Sequence, residues 1–470
     1  MRHIEALSRG VSRRAEILRT LLPVLLDWLA EGVDPDAGLL NLRRVCESLG
    51  TTPWFLRLLR DSNAAAERLC SILSSSRYVS DLLEVSPEST AWLGDDSLLA
   101  TRSLEDLGVE MRSQLTRHRD PDEAIRAVRQ IRRREQLRIA LADTSGVADV
   151  ETTVAGLSDV DQATVMAALH LAQKEYEAEL PAKLLVVAMG RQGGREIGFG
   201  SDADVVYAYE PVEGADPGEA QAAAEAVLNR MVKLLKQPCT PPIQAERVLE
   251  IDNDLRPEGR SGAKVRSVAS YAEYYERWGE TWEFQALTRA RFMAGSEDVA
   301  RAFFRVVDRH RYPAEFTDRQ LVDIRRMKAR VESERMPRGA DPLRQVKLGR
   351  GGLSDVEWLV QSLQLRHAGE VEDLRVTGTL PALRAIARHG LLPEAEVAVL
   401  EEAWLLATRI RAALLLWTGK VSDVLPTNMR DLEAVARLSG VGTTGGELEE
   451  RYLRVTRLAR QVFETRFYGL

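Results

Sequence analysis

The chain has 470 residues, 45% hydrophobic and 29% charged, a balance that suits a soluble globular protein of about three domains and excludes a disordered or membrane-embedded chain. No apolar run approaches the roughly 20 residues that span a bilayer, so no membrane partner is expected. Seventy-one acidic against 64 basic side chains leave a net charge of −7, which argues against a long nucleic-acid track, because phosphate binding shows as a basic surface.

The opening Met1-Arg2-His3-Ile4-Glu5 leads into charged residues without the apolar stretch of a secretory signal, so a cytoplasmic location is expected. Cys46, Cys70 and Cys239 are too few and too widely spaced for a disulfide framework or a zinc motif. The six histidines are equally scattered.

From Ile4 to about Asp143 the apolar residues recur every three or four positions, as in Ile17, Leu18, Leu21, Leu22, Leu25 and Leu29, which predicts amphipathic helices. Turns are expected at Gly32 to Asp36, Thr51-Thr52-Pro53 and Asp120-Pro121-Asp122. Trp54, Phe55, Leu58, Leu59 and Tyr78 lie at helical spacing and are read as core. One more helix is expected from Asp161 to Glu179, and then the character changes. Leu184 to Met189 is a continuous apolar run closed by Gly190, the pattern of a buried strand. A second strand is predicted over Ala203 to Tyr209 and a third over Arg247 to Asp254, which Pro257 ends. The alanine-rich stretch Glu219 to Lys236 between them reads as a helix. From about Ser267 the helical period returns to the end, interrupted by the glycine-rich segment Lys347 to Gly352, and Pro393 to Phe467 reads as a helix bundle.

The chemistry concentrates in Gly190-Arg191-Gln192-Gly193-Gly194-Arg195-Glu196 and the following Ser201-Asp202-Ala203-Asp204. Strand side chains alternate, so Asp202 and Asp204 share a face. Two neighbouring carboxylates repel unless a cation lies between them, and Mg²⁺ suits such a pair because it takes one or two carboxylates and completes its shell with water and substrate phosphates. The glycines permit a tight turn whose N–H groups cradle phosphate, and Arg191 and Arg195 add charge of the right sign. Neither a P-loop nor a dinucleotide-binding glycine motif is present. The plainer alternative is a hairpin whose aspartates cap a turn. Asp252 and Asp254 share one face of the third strand, and either would complete a set of three carboxylates able to hold two metal ions.

These residues resemble the nucleotidyltransferase core of the bifunctional glutamine synthetase adenylyltransferase/adenylyl-removing enzymes, a branch of the DNA polymerase β superfamily. The same resemblance runs through Asp252 to Gly259 with its Leu255-Arg256-Pro257, Trp282-Glu283-Phe284-Gln285-Ala286-Leu287 with Arg289-Ala290-Arg291, and Lys347-Leu348-Gly349-Arg350-Gly351-Gly352-Leu353-Ser354-Asp355-Val356-Glu357. It covers essentially the whole chain. Members of that family carry two such halves in tandem, and the opening from His3 to Arg14 is similar to the start of the C-terminal, adenylylating half. The resemblance implies that Asp202, Asp204 and Asp252 are the catalytic, metal-binding carboxylates, with Asp252 favoured over Asp254 because many relatives carry arginine at the latter position. It places the nucleotide among Gly190, Arg191, Gly193, Gly194, Arg195, Ser201, Arg256 and Lys347. The wider superfamily has Gly-Gly or Gly-Ser in the turn where this chain has Gly190-Arg191.

The expected fold is therefore α+β, a polymerase β-like core with a mixed sheet over residues 151–305, flanked by helical regions over 1–150 and 306–470. The expected activity is Mg²⁺-dependent transfer of AMP from ATP to a tyrosine of glutamine synthetase, with a PII-type signal protein as a second partner. The alternatives are phosphorolytic removal of AMP by the same fold, a non-catalytic module that senses PII or an effector, and nucleotide addition to RNA or an antibiotic. For Lys347 to Gly352 the choice lies between a loop returning to the nucleotide and a tight turn at a helix start. Tyr271, Tyr274, Tyr275, Trp278 and Trp282 are read as core rather than as an adenine stack.

Overall fold

A computed structural model describes residues 2–8, 13–49, 52–176 and 179–470. Helices fill the N-terminal region, among them Arg13–Ala30, Pro35–Leu49, Pro53–Asp61, Asn63–Ser75, Leu104–Arg117 and Pro121–Thr144. Three of the prolines read as turn markers, Pro35, Pro53 and Pro121, open these helices, where a missing N–H costs nothing. Thr51 of the second expected turn lies outside the described residues. Phe55, Leu59 and Tyr78 are buried, and Trp54 and Leu58 pack against the same core. The helix expected to begin at Asp161 starts earlier and spans Val150–Lys174, with Asp149 accepting a hydrogen bond from the Thr152 amide at its N-terminus. It ends at Lys174, short of the expected Glu179, because the chain leaves the helix at Glu175.

The middle of the chain forms a mixed five-stranded sheet. Strand β1 (Ala182–Ala188) and β2 (Ala203–Pro211) are antiparallel, with Ala188 opposite Val205. β3 (Ile251–Asp252) and β4 (Val265–Ser267) both run parallel to β2, and β5 (Arg291–Gly295) is antiparallel to β1 on its other edge. The third strand predicted over Arg247 to Asp254 shrinks to two residues, because the chain turns at Asp252, where the Asp254 amide bonds back to Oδ1 at 2.8 Å. β5 lies in the stretch from Ser267 expected to be helical, and β4 in a stretch for which no element was expected. Each is too short to establish a two-residue period, and their pairing with β2 and β1 decides their conformation.

Alternation along β1 and β2 separates two cores. Leu184, Val186, Ala188, Val205 and Tyr207 face the Val150–Lys174 and Pro217–Lys236 helices. Leu185, Val187, Val206 and Ala208 face Val268, Tyr271, Tyr275 and Phe303. The aromatic cluster thus divides. Tyr271 and Tyr275 are core, with the Tyr271 hydroxyl donating to the Tyr207 carbonyl at 3.0 Å, whereas Trp278 is 72% exposed and corrects its reading as core.

The C-terminal region is helical, with Asp318–Glu334, Leu353–His367, Thr379–Arg388, Glu394–Thr418, Met429–Leu438 and Gly445–Phe463 around their own core of Ile324, Leu359, Leu383, Trp404 and Tyr452. Among the described residues no helix is long and apolar enough to cross a membrane.

Candidate active site

The site is built at the end of β1 and the beginnings of β2 and β3. After β1 the chain makes a single helical turn, Gly190–Gly193, and returns to start β2. The Met189 amide donates to the Asp204 carbonyl at 2.8 Å, which locks the turn to the strand carrying the acids. Asp202 is exposed and precedes β2; Asp204 lies within it, two residues on. Asp204 and Asp252 are direct partners in the parallel register of β2 and β3. Asp254 is directed elsewhere: its Oδ2 accepts from Arg260 Nε at 2.7 Å. Of the two acids that spacing left open, Asp252 is thus the register neighbour of Asp204 and Asp254 is paired with Arg260.

The three acids act on one another. Burial, the Asp252 carboxylate and, more weakly, Asp202 push Asp204 up from 3.8 to about 6, against the opposing pull of Lys347 and Arg191. A cluster of carboxylates short of positive charge, with donors that are all oxygen, fits a hard divalent cation. Among the described residues no three His, Cys, Asp or Glu side chains close into a ready-made metal cage. The arrangement thus suits an ion that takes one or two carboxylates and draws its remaining ligands from water and a bound phosphate, as Mg²⁺ does.

Gly190 has φ of +51°, and a Cβ there would lie 2.1 Å from Asp204 Oδ2. This glycine makes room for the Asp204 carboxylate. The glycines at 193 and 194 have a packing reason that the sequence did not disclose, since a Cβ on them would lie 1.8 Å from the Arg289 carbonyl oxygen and 2.1 Å from Arg289 Nη1.

Lys347, 145 positions beyond Asp202, comes back to this site, where its charge acts on both Asp204 and Glu357. Of the two readings of its segment, the tight turn at a helix start is the one the fold displays. Gly349–Gly352 is a tight turn leading into the Leu353–His367 helix, and a Cβ on Gly351 would lie 1.8 Å from the Thr456 carbonyl oxygen. Arg191 stands over the turn with its Nε donating to Glu357 Oε1 at 3.3 Å, and its two terminal nitrogens are buried without an acceptor. Ser201 adjoins Asp202 and lines a small cavity together with Arg191 and Arg411.

Two arginines expected at the nucleotide are used elsewhere by the fold. Arg195, at φ +56°, donates to Asp159 on the Val150–Lys174 helix at 2.6 Å and lines a separate cavity of about 770 Å³ with Arg102 and Arg291. Arg256 is buried and staples its own loop, donating to the Asn253, Arg260 and Gly262 carbonyls at 2.9, 3.1 and 3.2 Å. Spacing did not reveal the ion pairs behind the turn. Arg289 is bonded to Glu196 and donates to Thr379 Oγ1 at 2.6 Å, and Glu196 also accepts from the Thr379 amide at the start of the Thr379–Arg388 helix. The motif matches around Arg289 and Glu357 were the one signal pointing there.

Comparison with known proteins agrees with this geometry. A family model described as glutamate-ammonia ligase adenylyltransferase matches residues 66–306, and one described as GlnD PII-uridylyltransferase matches residues 325–467. The bifunctional glutamine synthetase adenylyltransferase/adenylyl-removing enzyme of Streptomyces avermitilis is 47% identical over 489 residues, and that of Streptomyces coelicolor 47% over 487; each alignment covers 100% of this chain and 48% of the relative. The Leifsonia xyli subsp. xyli enzyme of the same name is 45% identical over 468 residues, 99% of this chain and 46% of the relative. The chain thus spans about half the length of the curated relatives it matches. With its carboxylate-bearing sheet inside the matched segment, this chain belongs to the glutamate-ammonia ligase adenylyltransferase family.

Proposed function

We propose that the chain transfers AMP from ATP to a tyrosine hydroxyl of glutamine synthetase, releasing pyrophosphate. The observation that carries this reading is the trio of Asp202, Asp204 and Asp252 at one end of the sheet, beside the Gly190 turn and Lys347. Asp202, Asp204 and Asp252 would hold Mg²⁺, which when bound supplies Lewis acidity at the α-phosphoryl group. The Gly190 turn, Arg191, Ser201 and Lys347 bind and orient the triphosphate, so that the tyrosine oxygen lies in line with the bond to the leaving pyrophosphate. Asp252 has Oδ1 held by the Asp254 amide; in this reading its other oxygen accepts the proton of the tyrosine hydroxyl as the new P–O bond forms and the bond to pyrophosphate breaks. Gly193, Gly194, Arg195 and Arg256 support the site through packing and pairing. The match of residues 325–467 to a PII-uridylyltransferase model supports a PII-type signal protein as a regulatory partner of the helical end.

Incubation with Mg²⁺, α-labelled ATP and unmodified glutamine synthetase should leave label on the synthetase and release pyrophosphate. The same carboxylates suit phosphorolytic removal, so the reverse arm is run beside it: phosphate-dependent ADP formation from adenylylated synthetase, without pyrophosphate from the unmodified form, would assign the chain to removal instead.

The two acids near β3 are expected to differ sharply. Asp252→Asn should lose about 10³-fold in transfer rate, equivalent to about 4 kcal/mol. Asp254→Asn loses only an exposed, solvent-screened pair with Arg260, and should keep most activity. Initial rates of label transfer decide, and a reversed order would reassign the strand.

A further inference from the structure

The C-terminal helical region reaches into the catalytic turn through one carboxylate. Glu357 lies on the Leu353–His367 helix, ten residues beyond Lys347, and only 18% of its side chain is exposed. Its Oε1 accepts from Arg191 Nε at 3.3 Å and lies 3.7 Å from Arg289 Nη2. Lys347 and Arg411 are close enough for their charges to act on it as well. Four cations thus surround one acid. Burial alone would raise the Glu357 carboxyl, but Arg191, Arg289, Lys347 and Arg411 outweigh it and hold it below its ordinary value.

The partners of Glu357 are not equivalent. Arg289 is already satisfied by Glu196 and Thr379. Among the described residues Arg191 has no other carboxylate bonded to it, and Glu357 engages its Nε alone, leaving Nη1 and Nη2 buried without a hydrogen-bond acceptor, with the Trp404 ring 6.0 Å from the guanidinium carbon. A buried guanidinium with two unused N–H₂ groups loses hydrogen bonds it would make in water, at a cost that an anionic ligand can offset. Its place on the Gly190–Gly193 turn, near enough to act on Asp204, identifies that ligand as a phosphate oxygen of a nucleotide seated over the carboxylates.

We infer that Glu357 is a positioning residue for ATP: it anchors Arg191 by its Nε and offsets the mutual repulsion of Arg191, Arg289 and Lys347, so that the idle end of Arg191 is presented to the triphosphate. This rests on ATP being the substrate, as proposed above. It makes the C-terminal helices part of the nucleotide site, since their carboxylate sets the aim of an arginine on the sheet.

The test is equilibrium binding of ATP, with Mg²⁺, measured by calorimetry on the full chain and on Glu357→Gln, Arg191→Gln and the double variant. Glutamine keeps the shape of the side chain, and Arg289 keeps Glu196, so the fold should hold, as thermal unfolding will report. Glu357→Gln should weaken ATP binding roughly tenfold through misplacement of Arg191. In the Arg191→Gln background the same change should cost little further, because the route through Arg191 is already gone. Glu357→Asp, which restores the charge, should recover part of the affinity. Equal ATP affinity of Glu357→Gln and the unaltered chain would overturn the inference and leave the activity reading intact. So would a full tenfold loss in the Arg191→Gln background, which would mark a general structural role. Failure of the unaltered chain to bind ATP at all would overturn the inference together with the reading beneath it.

Discussion

Asp204→Asn should abolish adenylyl transfer and, at neutral pH, make the protein more stable. The loss of activity should be about 10³-fold or more, because the substitution removes the central carboxylate of the trio and several kcal/mol of charge stabilisation in the transition state. The gain in stability follows from the sign of the shift. Asp204 has an ordinary value of 3.8 and is pushed to about 6 in the folded protein, first by burial and then by Asp252. Between those values the folded state holds a proton that the unfolded chain releases, so stability falls as pH rises from about 4 to about 6, and the full penalty remains above that range. At about 1.4 kcal/mol per unit it amounts to no more than about 3 kcal/mol. Asparagine removes it. The variant should therefore unfold at higher urea than the unaltered chain at pH 7.5, and the difference should vanish near pH 4. Mg²⁺ with a non-hydrolysable ATP analogue should raise the melting temperature of the unaltered chain and have much less effect on the variant. A variant equally stable at both pH values would mean that Asp204 is not under the strain its neighbours imply.

The second large effect is expected far from the carboxylates. Lys328 is wholly buried, with Nζ 2.7 Å from Asp355 Oδ1, 3.1 Å from Ser354 Oγ and 3.2 Å from Glu332 Oε1. Asp355 Oδ2 meets Arg460 at 3.0 Å and accepts the Gly351 amide at 2.7 Å. This cluster joins the Asp318–Glu334, Leu353–His367 and Gly445–Phe463 helices and fixes the turn that follows Lys347. Removing one partner of a buried pair leaves the other charge uncompensated, so Asp355→Ala should destabilise the chain by about 3–5 kcal/mol. Replacing both partners with apolar side chains, as in Lys328→Met with Asp355→Leu, should recover much of that loss. The urea midpoints of the single and double variants provide the comparison, and a double variant as unstable as the single would show that the cluster's value lies in its hydrogen bonds to Gly351 and Ser354.

How far the sequence carried differs by element. Asp204 was legible because a strand's two-residue alternation turns spacing into orientation, whereas Asp202 falls just before β2, where that alternation does not reach. Lys347 was legible only as a choice between two readings of its segment, of which the fold displays the tight turn at a helix start, while its charge reaches Asp204. Trp278 was misread because helical spacing shows where a face lies but not whether another element covers it. Arg195 and Arg256 carry the charge a phosphate would want, yet Asp159 and nearby backbone carbonyls claim them first. Those contacts, and the pairing of Glu357 with Arg191 across 166 positions, depend on which elements become neighbours in space, and no local pattern encodes that.

One hydrophobic interior runs without a gap from Leu18 and Leu25 in the N-terminal helices through Leu184, Val186 and Val205 in the sheet to Leu415 and Leu416 near the end of the Glu394–Thr418 helix. On this face the strands that carry Asp204 and its neighbours therefore do not own their core; they share it with helices drawn from both ends of the chain. Cutting the sequence where its composition changes would open that interior to water on at least one side. The smallest piece of this protein that retains its chemistry is set by the continuity of its oil rather than by the span of its motifs.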